Sequence, residues 1–133
     1  MILVDSSVWI DFLRNRPTPQ AEWLDRHLGV ESLLVGDLIL AEVLQGFKDD
    51  KGFAEARRLF GQLEQVALCG AELAVEAARN DRKLRAQGVT VRGTIDAIIA
   101  TRCLVDDIRL LHSDRDFEPF EKYLGLRGVD CAA

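Results

Sequence analysis

The sequence predicts an α/β fold in which helices flank a short parallel sheet. Short apolar runs alternate with segments of helical spacing along the whole chain, which is the pattern of strand–helix–strand units. The first of these runs is followed directly by Asp and two serines, and two others by Asp or Ser within two residues, which are residues that commonly start helices. The length of 133 residues, without a long linker or low-complexity tract, fits one continuous domain over residues 1–133.

Each predicted strand is a short run of mostly apolar residues. Runs of this kind are typical of strands that are buried on both faces of a sheet. In chain order, the predicted strands cover residues 2–4, 32–35, 66–68 and 108–111, with a last short strand over 126–129.

The predicted helices are recognised by their capping residues and by apolar residues that share one face. Asp5 with the two serines after it, Asp37 and Thr94 are expected to cap three of them. The first predicted helix follows Asp5 and its two serines and ends at about residue 14. In chain order, the other predicted helices cover residues 20–28, 37–45, 52–63, 71–86 and 94–105.

The composition argues against several classes of protein. Acidic residues outnumber basic ones by 22 to 17, giving a net charge of −5, whereas non-specific nucleic-acid binders are usually basic. Two histidines do not favour a histidine-rich zinc site, and three widely separated cysteines favour a reduced, cytosolic protein. No apolar stretch approaches about 20 residues, so we expect no membrane span. The apolar first segment carries Asp5 and Asp11, which is unlike a signal peptide.

Acidic side chains follow two of the predicted strands. Asp5 comes directly after the first strand, and Asp114 and Asp116 follow the strand near residue 110. Two more acids lie on predicted helices: Glu42 among apolar neighbours, and Asp96 in a first turn, on the apolar side. Because sites in parallel α/β sheets form at the carboxyl ends of the strands, we expect these acids to reach one edge.

Each acid also has a purely structural interpretation. Asp5 could cap a helix, and Glu42 could form a buried salt bridge with an arginine. Asp96 could interact with the helix dipole, and Asp114 could be a turn residue. Taken together, however, converging carboxylates repel one another unless a cation balances them. Because Mg²⁺ prefers oxygen ligands, the set predicts a hard divalent metal site and phosphodiester hydrolysis.

Four segments of the chain together resemble PIN-domain ribonucleases. They are residues 2–10 (ILVDSSVWI), the helix that carries Glu42, residues 94–100 (TIDAIIA) and residues 111–117 (LHSDRDF). Within this family, the chain is similar in sequence to the VapC-type toxins of prokaryotic type II toxin–antitoxin pairs. The resemblance implies a PIN-like three-layer α/β/α fold and an acidic pocket that binds Mg²⁺, or Mn²⁺ as a substitute, and cleaves RNA.

The resemblance also implies roles for individual residues. The matching positions are Asp5, Glu42, Asp96 and Asp114 as catalytic residues and metal ligands, Asp116 as a further metal ligand, and Ser7 and Ser113 as supporting residues. Asp5, Asp96 and Asp114 would hold the main metal, directly or through water. Glu42 would orient or deprotonate the attacking water, and the product would keep a 3′-hydroxyl.

The expected partners are RNA, a cognate VapB-type antitoxin and a second copy of the chain in a homodimer. The last two follow from the resemblance alone, and an acidic pocket would suit an antitoxin tail that carries an arginine. Arg92 and Arg14 are candidate RNA contacts, although a solvated charged face explains most of the basic residues.

Other interpretations remain open. A PIN-like module could bind protein or RNA without cutting, which weak metal binding by calorimetry would favour, and a nuclease of the same fold could act on DNA. A phospho-accepting receiver domain is also α/β and acidic, but it needs a lysine after a late strand. No lysine lies between Lys83 and Lys122, which argues against the receiver.

Overall fold

Four parallel strands form the central sheet of the computed structural model, which describes residues 1–132. The sheet order is β3-β2-β1-β4, so the first strand lies between the second and the fourth. Leu3 is paired with Leu34 on one side and with Leu110 on the other. The strands are β1 (Ile2–Val4), β2 (Leu33–Gly36), β3 (Glu64–Val66) and β4 (Arg109–Leu111).

Helices connect the strands and pack in two groups. Contacts join α1 with α2 and α3, and α3 with α4, while α5 packs against α6 and α7. This arrangement is the three-layer α/β/α fold that the sequence predicts. The helices are α1 (Ser6–Leu13), α2 (Pro19–His27), α3 (Asp37–Leu44), α4 (Asp50–Gly61), α5 (Ala71–Ala86), α6 (Thr94–Asp106) and α7 (Glu118–Leu124), with a 3₁₀ turn over Arg115–Phe117.

The core lies on both sides of the sheet, and β1 is buried along its whole length. Trp9 of α1 is fully buried and meets Phe60 of α4 edge to face, with ring centroids 4.8 Å apart. Phe117 and Phe120 are equally buried. In a chain this short, aromatic side chains of this size contribute much of the buried apolar surface that stabilises the fold.

The third strand lies two residues earlier than the predicted 66–68, because Leu68 has another role. Its side chain fills the space that a Cβ at Gly36 would occupy, and its amide donates to Asp37 Oδ1 at 3.0 Å. Leu68 is therefore fully buried as a packing residue of the loop after β3, and Glu64–Val66 forms the edge strand.

Three other predictions about the elements are wrong. Residues 126–129 form only an isolated bridge between Gly128 and Leu110, and not a strand. Gly36 and Gly93 occupy the N-cap positions of α3 and α6, so Asp37 and Thr94 are first helical residues and not caps. α7 and the 3₁₀ turn are absent from the prediction altogether.

Within residues 1–132, no helix has both the length and the apolar character that crossing a bilayer requires.

Candidate functional site

The topology brings five acidic side chains to the carboxyl edge of the sheet. Asp5 is the residue after β1, while Asp114 and Asp116 lie just beyond β4, the neighbouring strand. Glu42 comes from the second half of α3, and Asp96 from the first turn of α6. This cluster, called the acidic cluster below, contains all the acids that the sequence singles out.

Three members of the acidic cluster lie closest together. One carboxylate oxygen from each of Asp96, Asp114 and Asp116 is within 4.8 Å of the others, and all three side chains are half-buried. Asp114 caps the 3₁₀ turn, because its Oδ1 accepts a hydrogen bond from the Asp116 amide at 2.9 Å. Asp116, which the sequence suggests only as an additional ligand, thus belongs to the three carboxylates that lie closest together.

Asp5 is almost completely buried, with 3% of its surface exposed. Ser7 donates to Asp5 Oδ2 twice, from its hydroxyl at 2.6 Å and from its amide at 3.2 Å, so Asp5 is also the N-cap of α1. Burial raises the pKa of Asp5, the bonds from Ser7 partly oppose this, and the nearby Asp114 raises it further. The capping interpretation is confirmed, but the repulsion by Asp114 shows that Asp5 also belongs to the acidic cluster.

Glu42 has a hydroxyl and not an arginine as its partner. Ser6 Oγ donates to Glu42 Oε2 at 3.2 Å, and no ion pair involves Glu42 among residues 1–132. The buried salt bridge that the sequence left open is therefore wrong. Burial raises the pKa of Glu42, and repulsion by Asp5 adds to the shift. α3 buries only Ile39 and Val43 and is half-exposed, and Glu42 lies close enough to Asp5 and Asp96 to act on both carboxylates.

Asp96 carries the largest shift of the acidic cluster. Burial first, and then repulsion by the four other carboxylates, raises the pKa of Asp96 from 3.8 to about 6. Gly93 lies against this side chain, since a Cβ at Gly93 would be 3.3 Å from Asp96 Oδ2. The four other acids of the cluster thus all act electrostatically on Asp96.

No basic side chain among the described residues forms an ion pair with the acidic cluster. Among residues 1–132, every Lys, Arg and His nitrogen is more than 4.0 Å from the oxygens of the five carboxylates. An all-oxygen donor set without a counter-charge is the chemistry of a site for a hard divalent cation.

Ser7 and Ser113 join the loops that follow β1 and β4. The Ser113 amide donates to Ser7 Oγ at 3.4 Å, while Ser7 Oγ holds Asp5. The two serines therefore connect the chain segments that carry Asp5 and Asp114. This position suits the supporting role that the resemblance implies for them.

Arg92 and Arg14 are both exposed, and neither pairs with an acid among residues 1–132. Arg92 lines a cavity of about 300 Å³ beside the start of α6, the helix of Asp96. Arg14 lines another cavity, of about 340 Å³, with residues of α1 and the α3–α4 connection.

Sequence reasoning misses three side chains that touch the acidic cluster or its loops. The sequence suggests Ser6 only as a helix cap, but its hydroxyl donates a hydrogen bond to Glu42. His112 accepts from the Asp114 amide and contacts Glu121 of α7. His112 lies within the LHSDRDF segment, two residues before Asp114, so the sequence offers a signal for it. Glu121 has no such signal, because the helix that carries it is not predicted.

Comparisons of sequence support one family for this chain. The PIN domain family matches residues 2–123. Ribonuclease VapC11 of Mycobacterium tuberculosis (strain ATCC 25618 / H37Rv) is 30% identical over 131 residues, which are 97% of this chain and 98% of that protein. VapC ribonuclease Mb1587 of Mycobacterium bovis has the same identity and coverage.

Solved structures show the same fold. The VapBC2 complex of Rickettsia felis, bound to a promoter DNA fragment, contains a chain with a TM-score of 0.72 and 16% identity, covering 97% of this chain and 98% of its own. VapC20 of M. tuberculosis, a sarcin–ricin loop cleaving toxin, gives a TM-score of 0.65 at 18% identity, covering 89% of this chain and 93% of its own. With the match to residues 2–123 and the VapC relatives at 30% identity, the chain belongs to the PIN domain family, within its group of VapC-type ribonucleases.

Proposed function

We propose that this chain is a metal-dependent endoribonuclease that acts as the toxin of a type II toxin–antitoxin pair. The observation that carries the proposal is the acidic cluster, in which five carboxylates meet without a basic counter-charge among residues 1–132. Its relatives are named as ribonucleases, which supports RNA as the substrate.

The residues present fit Mg²⁺, with Mn²⁺ as a substitute. Asp96, Asp114 and Asp116 supply the three oxygens that already lie together, and Asp5 completes the set directly or through water. Carboxylate oxygens are the ligands that these ions prefer, and the group of potential ligands found among residues 1–132 contains neither histidine nor cysteine. When bound, the cation supplies positive charge that stabilises the scissile phosphate in the transition state.

In this mechanism Glu42 orients the attacking water and accepts its proton. Ser6 holds one carboxylate oxygen of Glu42, which leaves Oε1 to accept from water. Burial and Asp5 together raise the pKa of Glu42, which makes it a stronger base than a free glutamate. Water oxygen bonds to phosphorus, the bond from phosphorus to the 3′-oxygen breaks, and that oxygen takes up a proton. The products are a 3′-hydroxyl and a 5′-phosphate.

The toxin assignment includes a partner of the VapB type. Several solved structures of this fold are VapBC complexes, those of Rickettsia felis and Salmonella typhimurium among them. A basic antitoxin segment would complement the acidic cluster, because an inserted arginine supplies the missing counter-charge.

A homodimer, which the family resemblance also implies, stays a prediction that sedimentation of the purified chain can test.

Cleavage of a panel of tRNA, rRNA and mRNA with Mg²⁺ tests the proposed function. We expect cleavage with Mg²⁺ or Mn²⁺, none with EDTA, and recovery when the metal is restored. End analysis should find 3′-hydroxyl and 5′-phosphate groups. Cleavage that persists in EDTA, or 2′,3′-cyclic phosphate ends, would contradict the mechanism, and cleavage of DNA in preference to RNA would contradict the substrate class.

Replacing Arg92 or Arg14 by alanine should weaken RNA binding and leave the chemical step nearly unchanged. A lysine or arginine that contacts one phosphate contributes about one unit to the slope of log K against log salt. We therefore expect a higher KM, a shallower salt dependence and an unchanged kcat. Arg127→Ala is the control, because Arg127 pairs with Asp107 just before β4, at the opposite edge of the sheet. An equal effect of the control would exclude a specific role for both arginines.

A further inference from the structure

The ring of His112 lies between the backbone amide of Asp114, a member of the acidic cluster, and the side chain of Glu121, which is outside the cluster. His112 is the first residue after β4, and only 12% of its side chain is exposed. Its Nδ1 is 3.3 Å from the Asp114 amide nitrogen, and its Nε2 is 2.9 Å from Glu121 Oε1. Both ring nitrogens thus have partners on opposite sides.

These contacts assign one neutral tautomer. The Asp114 amide is a donor, so Nδ1 must accept and cannot carry a hydrogen. Nε2 then carries the hydrogen and donates it to Glu121, whose carboxylate can only accept. Glu121 therefore selects the tautomer that can hold the Asp114 backbone, as carboxylates do for histidines in many metal sites.

Packing fixes the ring in this orientation. Phe117 lies against the imidazole with ring centroids 4.9 Å apart and a tilt of 52°. Glu121 is on α7, and its second oxygen occupies space that exists because residue 128 is glycine, since a Cβ there would be 2.6 Å from Oε2. The ring thus connects α7 and the segment around Gly128 with the loop that carries Asp114.

We propose that His112, oriented by Glu121, is a positioning residue for the carboxylate of Asp114. By accepting from the Asp114 amide, His112 fixes the start of the turn in which Asp114 Oδ1 accepts from the Asp116 amide. Two carboxylates of the acidic cluster therefore depend on this ring for their placement. The inference rests on the proposed function, because it concerns how the same site is prepared for its cation.

Two substitutions separate the hydrogen bond from the packing. His112→Phe keeps a ring against Phe117 but removes the acceptor, whereas His112→Asn places an amide oxygen near the position of Nδ1 and can still accept from the Asp114 amide. Because loss of a group that orients metal ligands typically costs about 10–100-fold in metal affinity or activity, we expect H112F to weaken Mn²⁺ binding by calorimetry about 10-fold and to lower kcat. H112N should recover most of both values, and Glu121→Ala should resemble H112F.

Hydrogen exchange of the Asp114 amide gives a readout that needs neither metal nor RNA. In the metal-free protein this amide should exchange faster in H112F than in wild type or H112N. Equal metal affinity in wild type and H112F, or equal defects in H112N and H112F, would overturn the positioning role. If the wild type bound no Mn²⁺, the proposed function would fail, and the exchange rates alone would then decide the inference.

Discussion

Asp96→Asn is expected to abolish RNA cleavage while making the metal-free protein more stable. Activity should fall at least about 100-fold, since even residues that only orient metal ligands cost 10–100-fold when they are changed. Stability should rise because burial first, and then repulsion by four other carboxylates, raises the pKa of Asp96 to about 6 and so disfavours its charged form. Asparagine removes this repulsion and keeps the shape of the side chain. A mutation that improves the fold and destroys the activity would show that the carboxylate is there for function.

The expected gain in stability can be bounded. Raising the pKa of Asp96 from 3.8 to about 6 corresponds to at most about 3 kcal/mol at neutral pH, and solvent screening of this partly exposed group reduces it to about 1–2 kcal/mol. For a chain of this size, that is a rise in Tm of roughly 4–8 °C. Thermal unfolding in EDTA measures it.

Asp50→Asn is the matched control. Asp50 is also in the first turn of a helix, α4, but it is exposed and outside the acidic cluster. Its replacement should leave cleavage unchanged and lower the stability slightly, because the favourable interaction with the helix dipole is lost. If D96N also lowered the Tm of the metal-free protein, the helix-dipole interpretation of Asp96 would be the better one.

The fold could be predicted where local pattern and tertiary structure agree. β1, α5 and β4 were predicted to within a residue, because each is an apolar run or an amphipathic segment with a clear end. β3 was displaced because Leu68 is more apolar than Glu64, although the exposed edge strand uses Glu64 and the core uses Leu68. α7 was missed because its seven residues are too few for a periodic signal, and Phe117 and Phe120 are buried only once the rest of the fold exists.

The residues of the candidate site were easier to predict than the geometry in which they are arranged. Asp5 and Asp114 could be placed at one edge because both follow strands of a parallel sheet. The partner of Glu42 could not be predicted, because the sequence pattern does not distinguish a hydroxyl on another helix, here Ser6 of α1, from an arginine. The place of Asp116 beside Asp96 and Asp114 depends on the 3₁₀ turn, which is stabilised by a hydrogen bond within the loop itself.

The metal-free protein is expected to lose stability as the pH rises from about 4 to about 7. Burial and mutual repulsion raise the pKa values of Asp5, Glu42 and Asp96 in the folded state, that of Asp96 to about 6. The folded protein therefore binds protons more tightly than the unfolded chain. Its stability from these groups is fully present below the unfolded pKa values near 4, and it is lost as the pH rises through about 6.

A divalent cation should reverse this dependence. The cation needs ionised carboxylates, so protons compete with it, and the stabilisation by Mg²⁺ should increase with pH. Unfolding measured at about pH 5 and about pH 7.5, in EDTA and in Mg²⁺, gives the four values required. D96N should flatten the slope in EDTA, because the carboxyl group whose pKa is raised most is gone, whereas D50N should keep it. A wild-type Tm in EDTA that did not fall with pH would mean that the carboxylates do not repel one another when metal is absent. The acidic cluster would then need no cation, and the argument for a metal-dependent nuclease would lose its physical basis.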